Sequence, residues 1–400
     1  MYKKLLSIAL AIMLAFATIM PTSAMADCID DGIKAKYFNL GMYNEFRNFD
    51  KKCTKKNANT TILVDEGKLL SDGLSASGLI GATNANLALT ASLPDTKIHR
   101  GRIVGKKIYI IGGTDVIDKN IENKLKNEGY NVKRLSGKNR YETSYRVAEE
   151  IKRITGKVNS VALVNGKNGE ADAVSIASAA IKNKMPVIVT DGKKLDSSLS
   201  SVKTYAIGGK SVISESLVKK TKATRLGGKD RYETNKKVIQ KFYPGCKRFT
   251  ILDEYLPESF SVLAITENRP IVLANAKSDK SLLNGAKEIE FVYIIALHPN
   301  IESSCLAGAA GKGVYKAYET LYKKLGNSRN NISYSYNPKN NYVDKSSLRK
   351  NYYIFNQTYF YHEGDNLEYE YEDADCNYLV NKKTMKIYTY SSDHVLRFVK

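Results

Sequence analysis

A chain of 400 residues is long enough for two or three domains, and its 62 basic against 41 acidic residues give a formal charge of +21. That balance points to an anionic partner, with plain solvation of a partnerless surface as the alternative. The five cysteines, Cys28, Cys53, Cys246, Cys305 and Cys376, lie far apart without a CxxC pair, which excludes a disulfide framework and a cysteine metal site.

The chain opens like an export signal. Lys3 and Lys4 precede an apolar run from Leu5 to Met20, and Ala24-Met25-Ala26 fits a cleavage site before Asp27. The run is short for a spanning helix, and no later stretch reaches membrane-spanning length. An uncleaved anchor is the competing reading. Removal of Lys3 and Lys4 with a signal free of acidic residues leaves about +19 on the mature chain. An exported protein seldom meets nucleic acid, so the expected partner is a wall polyanion of the teichoic type or an anionic polysaccharide. Residues 27–58 read as an N-terminal segment in which Cys28 and Cys53 could close a loop.

From residue 59 the sequence repeats. Arg134-Leu-Ser-Gly-Lys-Asn-Arg-Tyr-Glu-Thr143 returns 91 residues later as Arg225-Leu-Gly-Gly-Lys-Asp-Arg-Tyr-Glu-Thr234, with eight of ten positions identical. Ile108-Tyr-Ile-Ile-Gly-Gly113 corresponds to Thr204-Tyr-Ala-Ile-Gly-Gly209 and, more faintly, to Val292-Tyr-Ile-Ile-Ala-Leu297. Asp72-Gly-Leu-Ser-Ala-Ser77 corresponds to Asp172-Ala-Val-Ser-Ile-Ala177, and Pro186-Val-Ile-Val-Thr190 to Pro270-Ile-Val-Leu-Ala274. Ile62-Leu-Val-Asp65, Ala162-Leu-Val-Asn165 and Ile251-Leu-Asp253 align as apolar starts. Three copies follow: 59–133, 134–224 and 225–305. The first lacks the Arg-Tyr-Glu-Thr opening, and the third lacks the double glycine and most of the Asp-Ala segment.

Within a copy, short apolar runs alternate with helices. In the second copy a small-residue helix is expected at Asp172–Lys182, strands at Val187–Thr190 and Tyr205–Ile207, and a helix at Ser214–Lys220. Runs without period-two alternation predict strands buried on both faces, and strand–helix alternation predicts a parallel α/β sheet. Asn139 and Asp230 are good N-cap residues, with Glu142 and Glu233 three positions on, a capping-box spacing. Tyr141, Ala148, Ile151 and Ile154 share a helical face, as do Tyr232, Ile239 and Phe242.

The arginines of the motif have two readings. Arg140 and Arg231 stand at the positive end of a helix, where a cation is disfavoured. Arg134 and Arg225 close the preceding apolar stretch. Their planar forks suit structural salt bridges or an anionic ligand. Gly112-Gly113 and Gly208-Gly209 fit either a tight turn or an anion-binding strand end. Neither reads GxGxxG, and although Gly209-Lys210-Ser211 resembles the end of a P-loop, Thr204 occupies the place of that motif's first glycine. Asp72 and Asp172 are expected as helix caps and dipole partners, and Ala173, Ala177 and Ala180 as close-packing residues.

Residues 306–400 do not repeat and hold 15 of the 27 tyrosines, which suits either a glycan-facing surface or a half-buried sheet. Val314, Ala317, Tyr318, Leu321 and Leu325 form an amphipathic helix. Tyr352–Tyr361, Leu367–Tyr371, Tyr378–Val380 and Lys386–Tyr390 read as strands, with a hairpin turn at Asn381–Thr384. A small α+β domain with an antiparallel sheet is expected. The histidines His99, His298, His362 and His394 fall in no HExxH, and no GxSxG elbow is present. A His362–Cys376 thiol pair is conceivable, but that stretch reads better as structural. No catalytic, metal or cofactor motif emerges.

These features together resemble the clostridial cell wall-binding repeat 2 family over about 240 residues. The resemblance rests on Arg134, Gly137, Arg140, Tyr141, Glu142, Thr143, Asp172, Gly208, Gly209, Arg225, Gly228, Arg231, Tyr232, Glu233 and Thr234. It implies three tandem Rossmann- or toprim-like α/β subdomains in a pseudo-threefold arrangement. It also implies non-covalent anchoring to an anionic secondary wall polymer. Copy three departs from the pattern at Glu258-Ser-Phe-Ser261 and Ala296-Leu297. The candidate polymer-binding set is Asp72, Gly112, Gly113, Arg134, Arg140, Tyr141, Asp172, Gly208, Gly209, Arg225, Arg231 and Tyr232. The expectation is a secreted, non-enzymatic surface protein held to the wall by its repeats, with an adhesive or accessory C-terminal domain. Its partners would be the wall polymer and other surface proteins, with no nucleic acid and no membrane after signal cleavage. A wall-modifying enzyme with its active site in the C-terminal domain and a secreted interaction scaffold with decayed repeats are the alternatives.

Overall fold

The computed structural model describes residues 33–39, 55, 57–65, 73–90, 98–100, 103–195, 202–253, 263, 269–293, 299–325, 332–337, 343, 346–363, 366–391 and 395–399. The signal segment, Cys28, Cys53, Asp72, Glu258–Ser261, Ala296, Leu297, His298 and His394 lie outside the described residues, as do the side chains of His99, His362 and Cys376. The chain divides into two units. One joins Met1–Met42, with strand β1 (Lys34–Asn39), to Ala274–Lys400, and the other is Tyr43–Leu273.

The Tyr43–Leu273 unit starts with β2 (Thr60–Asp65), α1 (Ser77–Thr83), β3 (Asn86–Thr90), β4 (Ile98–Arg100), β5 (Lys107–Ile111), α2 (Lys119–Asn127) and β6 (Asn131–Leu135). These strands form one sheet in the order β4-β3-β2-β5-β6, parallel except for the edge strand β4. All six residues of β2 are buried, as an apolar run without alternation requires when both faces are covered.

Next come α3 (Arg140–Thr155), β7 (Ser160–Asn165), α4 (Glu170–Asn183), β8 (Val187–Thr190), β9 (Lys203–Ile207), α5 (Glu215–Thr221) and β10 (Thr224–Leu226). Their parallel sheet has the order β10-β9-β7-β8, the same order in which β6, β5, β2 and β3 stand. The unit closes with α6 (Arg231–Phe242) and the parallel pair β11 (Arg248–Leu252) and β12 (Ile271–Leu273).

The sequence repeat and the sheets are out of step. Arg134 and Leu135 end β6, which pairs with β5 of the preceding copy, while α3 directly after them packs on β8 of the next. Arg225 and Leu226 likewise lie in β10, beside β9. Each motif copy thus ends one sheet and starts the helix that covers the following one.

Helix α4 is buried at every position from Ala171 to Ala180 because α1 and α6 pack against it. The small residues allow this approach: a Cβ at Gly78 would stand 2.3 Å from the Met185 carbonyl oxygen, and one at Gly81 1.9 Å from that of Ile181. Buried Asn235 of α6 donates to Ser175 Oγ (3.1 Å) and the Ile271 carbonyl (2.8 Å) and accepts from Leu273 N–H (3.1 Å). That pins α6 to α4 and to β12.

Two buried glutamates, Glu122 and Glu150, each gather several basic partners in this unit. Glu150 on α3 accepts from Tyr109 Oη (2.6 Å), Lys133 Nζ (2.6 Å) and both arms of Arg153 (2.9 and 2.7 Å). Glu122 on α2 accepts from Arg134 Nε (2.8 Å) and Lys126 (2.6 Å), and Lys119 lies 2.9 Å away. Burial works against ionisation of Glu122, yet its bonds to Lys126, Arg134 and Lys119 hold the carboxyl down at about 2.

In the other unit β1 pairs in parallel with β13 (Glu288–Tyr293), Lys34 opposite Glu288 through Asn39 opposite Tyr293. The N-terminal segment, to which no secondary structure was assigned from sequence, therefore contributes a strand. Then follow α7 (Pro299–Ala310), α8 (Lys312–Leu325), β14 (Ile332–Tyr336), α9 (Ser346–Asn351), β15 (Tyr352–Glu363), β16 (Asn366–Asn381), β17 (Ile387–Tyr390) and β18 (Leu396–Phe398). The five strands form an antiparallel sheet in chain order. Val314, Ala317, Tyr318 and Leu321 of α8 pack on Tyr334, Phe355, Val380 and Ile387, as the helical stripe requires. Asn381 Oδ1 accepts from the N–H groups of Lys383 (3.0 Å) and Thr384 (2.9 Å), which sets the hairpin turn.

One expectation changes here, and two features lie beyond what was expected. The stretches expected as separate strands at Leu367–Tyr371 and Tyr378–Val380 are one strand, β16. Helix α7 runs across the expected boundary at 305/306. Strand β14, with the buried Tyr334, had no clear sequence signal.

Candidate functional site

The recurring motif is a strand-to-helix joint, and each residue in it has a local reason. Arg134 Nη1 donates to the carbonyls of Gly112 (2.9 Å) and Gly113 (3.0 Å). Arg225 Nη1 does the same to Gly208 (3.0 Å) and Gly209 (3.1 Å), and its Nη2 reaches the Ile213 carbonyl (2.8 Å). The arginine of one strand thus clamps the Gly-Gly turn at the end of its neighbour. Gly112 and Gly208 need to be glycine because their φ values are +111° and +120°.

Asn139 Oδ1 caps α3 by accepting from the N–H groups of Tyr141 and Glu142 (3.0 Å each), and Asp230 Oδ1 caps α6 by accepting from Glu233 N–H (2.8 Å). The glutamates reach back one residue further than a standard capping box: Glu142 accepts from Lys138 N–H and Glu233 from Lys229 N–H, both at 3.0 Å. Buried Thr143 and Thr234 accept from the N–H groups of Gly137 (3.1 Å) and Gly228 (3.0 Å). A Cβ at Gly137 or Gly228 would strike Glu142 or Glu233 at 2.3 and 2.4 Å. Replacing Asn139 with Ala is expected to lower stability by ~1 kcal/mol in urea denaturation, with the double variant Asn139→Ala/Asp230→Ala losing about twice that. An unchanged midpoint would show the caps to be dispensable.

The remaining motif residues are more exposed. Arg140 Nη1 donates to the Gly166 carbonyl after β7, and the Tyr141 ring edges the same glycine. Tyr141 and Tyr232 are only half-buried, not core residues. Arg231 is exposed and has no hydrogen bond among the described residues.

Arg231 borders a cleft of ≈ 400 Å³. Three segments line it: Lys167–Asp172 at the start of α4, Gly209–Val212 after β9, and Gly228–Thr234 at the start of α6. The cleft lies at the carboxyl ends of β7 and β9, where the strand order reverses direction and open α/β sheets place ligands. Asn165, the last residue of β7, shapes one wall. Its Nδ2 donates to the Val212 carbonyl (2.8 Å), and its Oδ1 accepts from the N–H groups of Lys167 (2.8 Å) and Asn168 (3.1 Å). The sequence carries a signal for this residue, since a polar Asp65, Asn165 or Asp253 closes each aligned apolar start.

Asp172 stands in the first turn of its helix, as a dipole partner should, but is not the cap. It is the third residue of α4, the N-cap is Gly169, and no side chain caps that helix. The first-turn N–H groups of Glu170, Ala171 and Asp172 therefore have no side-chain acceptor and contribute the positive end of the helix dipole to the cleft. The Asp172 side chain is 6 % exposed and makes no hydrogen bond among the described residues. It packs on Gly208, where a Cβ would lie 2.5 Å from Oδ2. Burial pushes its carboxyl up to about 7, partly offset by the Arg231 charge.

The candidate residues therefore separate by place. Asp172, Gly209 and Arg231 line one cleft, with Gly208 directly behind Asp172. Arg134 and Arg225 hold glycine carbonyls, and Arg140 and Tyr141 border Gly166. Lys167 and Lys229 line the cleft although neither was in the candidate set, and Asn165 braces its lining through Val212 and Lys167.

Two sequence-distant helix starts, each following a strand of the same repeated sheet, make one cleft lined by the basic Lys167, Lys229 and Arg231 and the acidic Glu170, Asp172 and Asp230. The family model for cell wall binding domain 2 matches residues 134–218 and 225–303, beginning at Arg134 and at Arg225. The chain carries repeats of the cell wall binding domain 2 family. Among curated relatives, N-acetylmuramoyl-L-alanine amidase LytC of Bacillus subtilis strain 168 is 29% identical over 246 residues, 58% of this chain and 48% of LytC. The amidase enhancer of the same organism is 34% identical over 192 residues, 46% of this chain and 26% of that protein. Among solved structures, Cwp8 from Clostridium difficile has a TM-score of 0.58 at 25% identity, covering 71% of this chain and 52% of Cwp8. Cwp6 from the same species has a TM-score of 0.57 at 22% identity, covering 70% and 48%. The chain spans about half the length or less of each of these proteins. The wall-binding repeats associate this chain with the cell wall and surface. No helix among the described residues is long and apolar enough to cross a membrane.

Proposed function

We propose that this is a secreted surface protein held non-covalently to the cell wall, its repeats binding an anionic, teichoic-acid-like secondary wall polymer. The cleft between the second and third copies carries this reading. Lys167, Lys229 and Arg231 line it beside Glu170, Asp172 and Asp230, and the uncapped start of α4 opens into it, so an anionic group there can pair with cationic side chains of two segments and with helix N–H groups. The charge of about +19 on the mature chain draws it toward a polyanion, and repeated sites on one polymer would add avidity. The tyrosine-rich C-terminal part serves an adhesive or accessory role, and the chain is a binder rather than an amidase.

The mature protein is expected to sediment with purified cell walls and to be released from walls stripped of anionic polymer but retaining peptidoglycan. Continued binding to stripped walls would sink the polymer reading. The triple variant Lys167→Ala/Lys229→Ala/Arg231→Ala should bind roughly tenfold or more weakly with an unchanged melting curve, and raising salt should weaken the wild type in the same direction. Release of muropeptides from walls by the purified chain would overturn the non-enzymatic assignment.

A further inference from the structure

The cleft holds a group that a simple anion site would exclude. Asp172 is buried, has no hydrogen-bond partner among the described residues, and lines the same cavity as Lys167, Lys229 and Arg231. It is not spent on the helix cap, and Arg231 shares its cavity without a hydrogen bond to it. Glycine at 208 leaves the carboxyl its room. An ionised carboxylate here would repel an incoming anion, whereas a neutral carboxyl is a hydrogen-bond donor that an anionic oxygen can accept.

We propose that Asp172 is the proton-linked element of this site, its neutral carboxyl donating a hydrogen bond to a phosphodiester oxygen that also meets Arg231 and the first turn of α4. The proposal rests on the reading of the cleft as the polymer site. Binding then takes up one proton wherever free Asp172 is ionised. The charged groups around it are Lys167 and Glu170 at the start of its own helix, Lys229, Asp230 and Arg231 at the start of α6, and Lys210 beside Gly209. None is a histidine or cysteine, the side chains that ordinarily titrate near neutrality. A phosphodiester has no proton to exchange in that range, which leaves Asp172 as the titrating partner.

The sign follows from the position of the carboxyl at about 7 in the free protein. A bound anion favours the neutral form and raises it further, so affinity is full below 7 and falls above. If only the neutral form binds, the dissociation constant should be about tenfold larger at pH 8 than at pH 6, and about a hundredfold larger at pH 9.

The test is calorimetric titration of the mature full-length chain with purified poly(glycerol phosphate) from pH 6 to 9, in two buffers of different ionisation enthalpy. Wild type should take up close to one proton per occupied cleft at pH 8, with affinity falling as above. Asp172→Asn, uncharged and of the same shape, should bind with neither proton uptake nor a decline toward pH 9. Wild-type binding with no proton uptake and a flat profile overturns the proton link and leaves the polymer reading standing. No binding at any pH overturns both. Should Asp172→Asn fail to fold by circular dichroism, the wild-type proton count decides alone.

Discussion

Gly208→Ala is expected to lower the stability of the Tyr43–Leu273 unit by ~3 kcal/mol and to weaken wall binding with it. Two costs coincide at this position. The φ of +120° lies in a region that an L side chain rarely adopts. The new methyl would also stand 2.5 Å from Asp172 Oδ2 and 3.2 Å from its Cγ. Asp172 cannot retreat without cost, because its helix is buried along its length. The turn cannot shift freely either, since the Gly208 carbonyl is held by Arg225 and a Cβ at Gly227 would already lie 2.2 Å from it.

Gly245→Ala separates the two costs. Its φ is +71° and no atom lies within 4 Å of its Cβ position, so only backbone strain applies, ~1 kcal/mol. Urea denaturation followed by circular dichroism is the appropriate measurement, because the chain has no tryptophan. Equal losses for the two variants would show that the Asp172 contact contributes nothing.

The second large effect is expected at Glu150. Glu150→Ala removes the acceptor of Tyr109, whose ring is fully buried, and leaves its O–H without an acceptor, since the neighbouring Arg153 can only donate. Lys133 and Arg153 have side chains 45% and 58% exposed, so water replaces most of what they lose. The orphaned hydroxyl and the lost charge-assisted bonds together should cost ~2–4 kcal/mol. Adding Tyr109→Phe to Glu150→Ala should then recover about 1 kcal/mol, because it removes the orphan. Additive losses in the double variant would overturn this account.

The same carboxyl sets the acid response. The bonds from Arg153, opposed by burial and aided by Lys133 and Tyr109, hold Glu150 well below the ordinary carboxylate range, and Glu122 stands at about 2. Groups depressed on folding contribute stability above their unfolded values, near ~4.3 for a glutamate, and lose it as pH falls through the folded ones. Wild-type stability should therefore decline from about pH 5 downward, and Glu150→Ala should decline less steeply over that range. Parallel pH profiles for the two proteins would contradict the role given to Glu150.

The motif was largely legible in the sequence because its bonds are local. The caps at Asn139 and Asp230 act on N–H groups two or three residues on, and the bonds from Gly137 to Thr143 and from Gly228 to Thr234 span six residues. The buried strands were legible for a related reason: a parallel sheet covered on both faces selects unbroken apolar runs, and Val187–Thr190 has the expected limits. The role of Asp172 was not legible. A small-residue helix opening with Asp looks like a capped start, and the actual N-cap, Gly169, carries no side chain to signal it.

By itself the sequence determined the repeat, the parallel α/β units, the helix starts and the amphipathic helix α8, all encoded in side-chain type and period. Only the tertiary structure decided that Lys34–Asn39 pairs with Glu288–Tyr293, since strand pairing is made by backbone groups that every residue carries. It also decided that Arg134 and Arg225 hold glycine carbonyls and that Asp172 and Arg231, 59 positions apart, face one cleft. The charge state of Asp172 depends on what is packed around it, and its desolvation beside the Gly208 turn is a property of the folded chain alone.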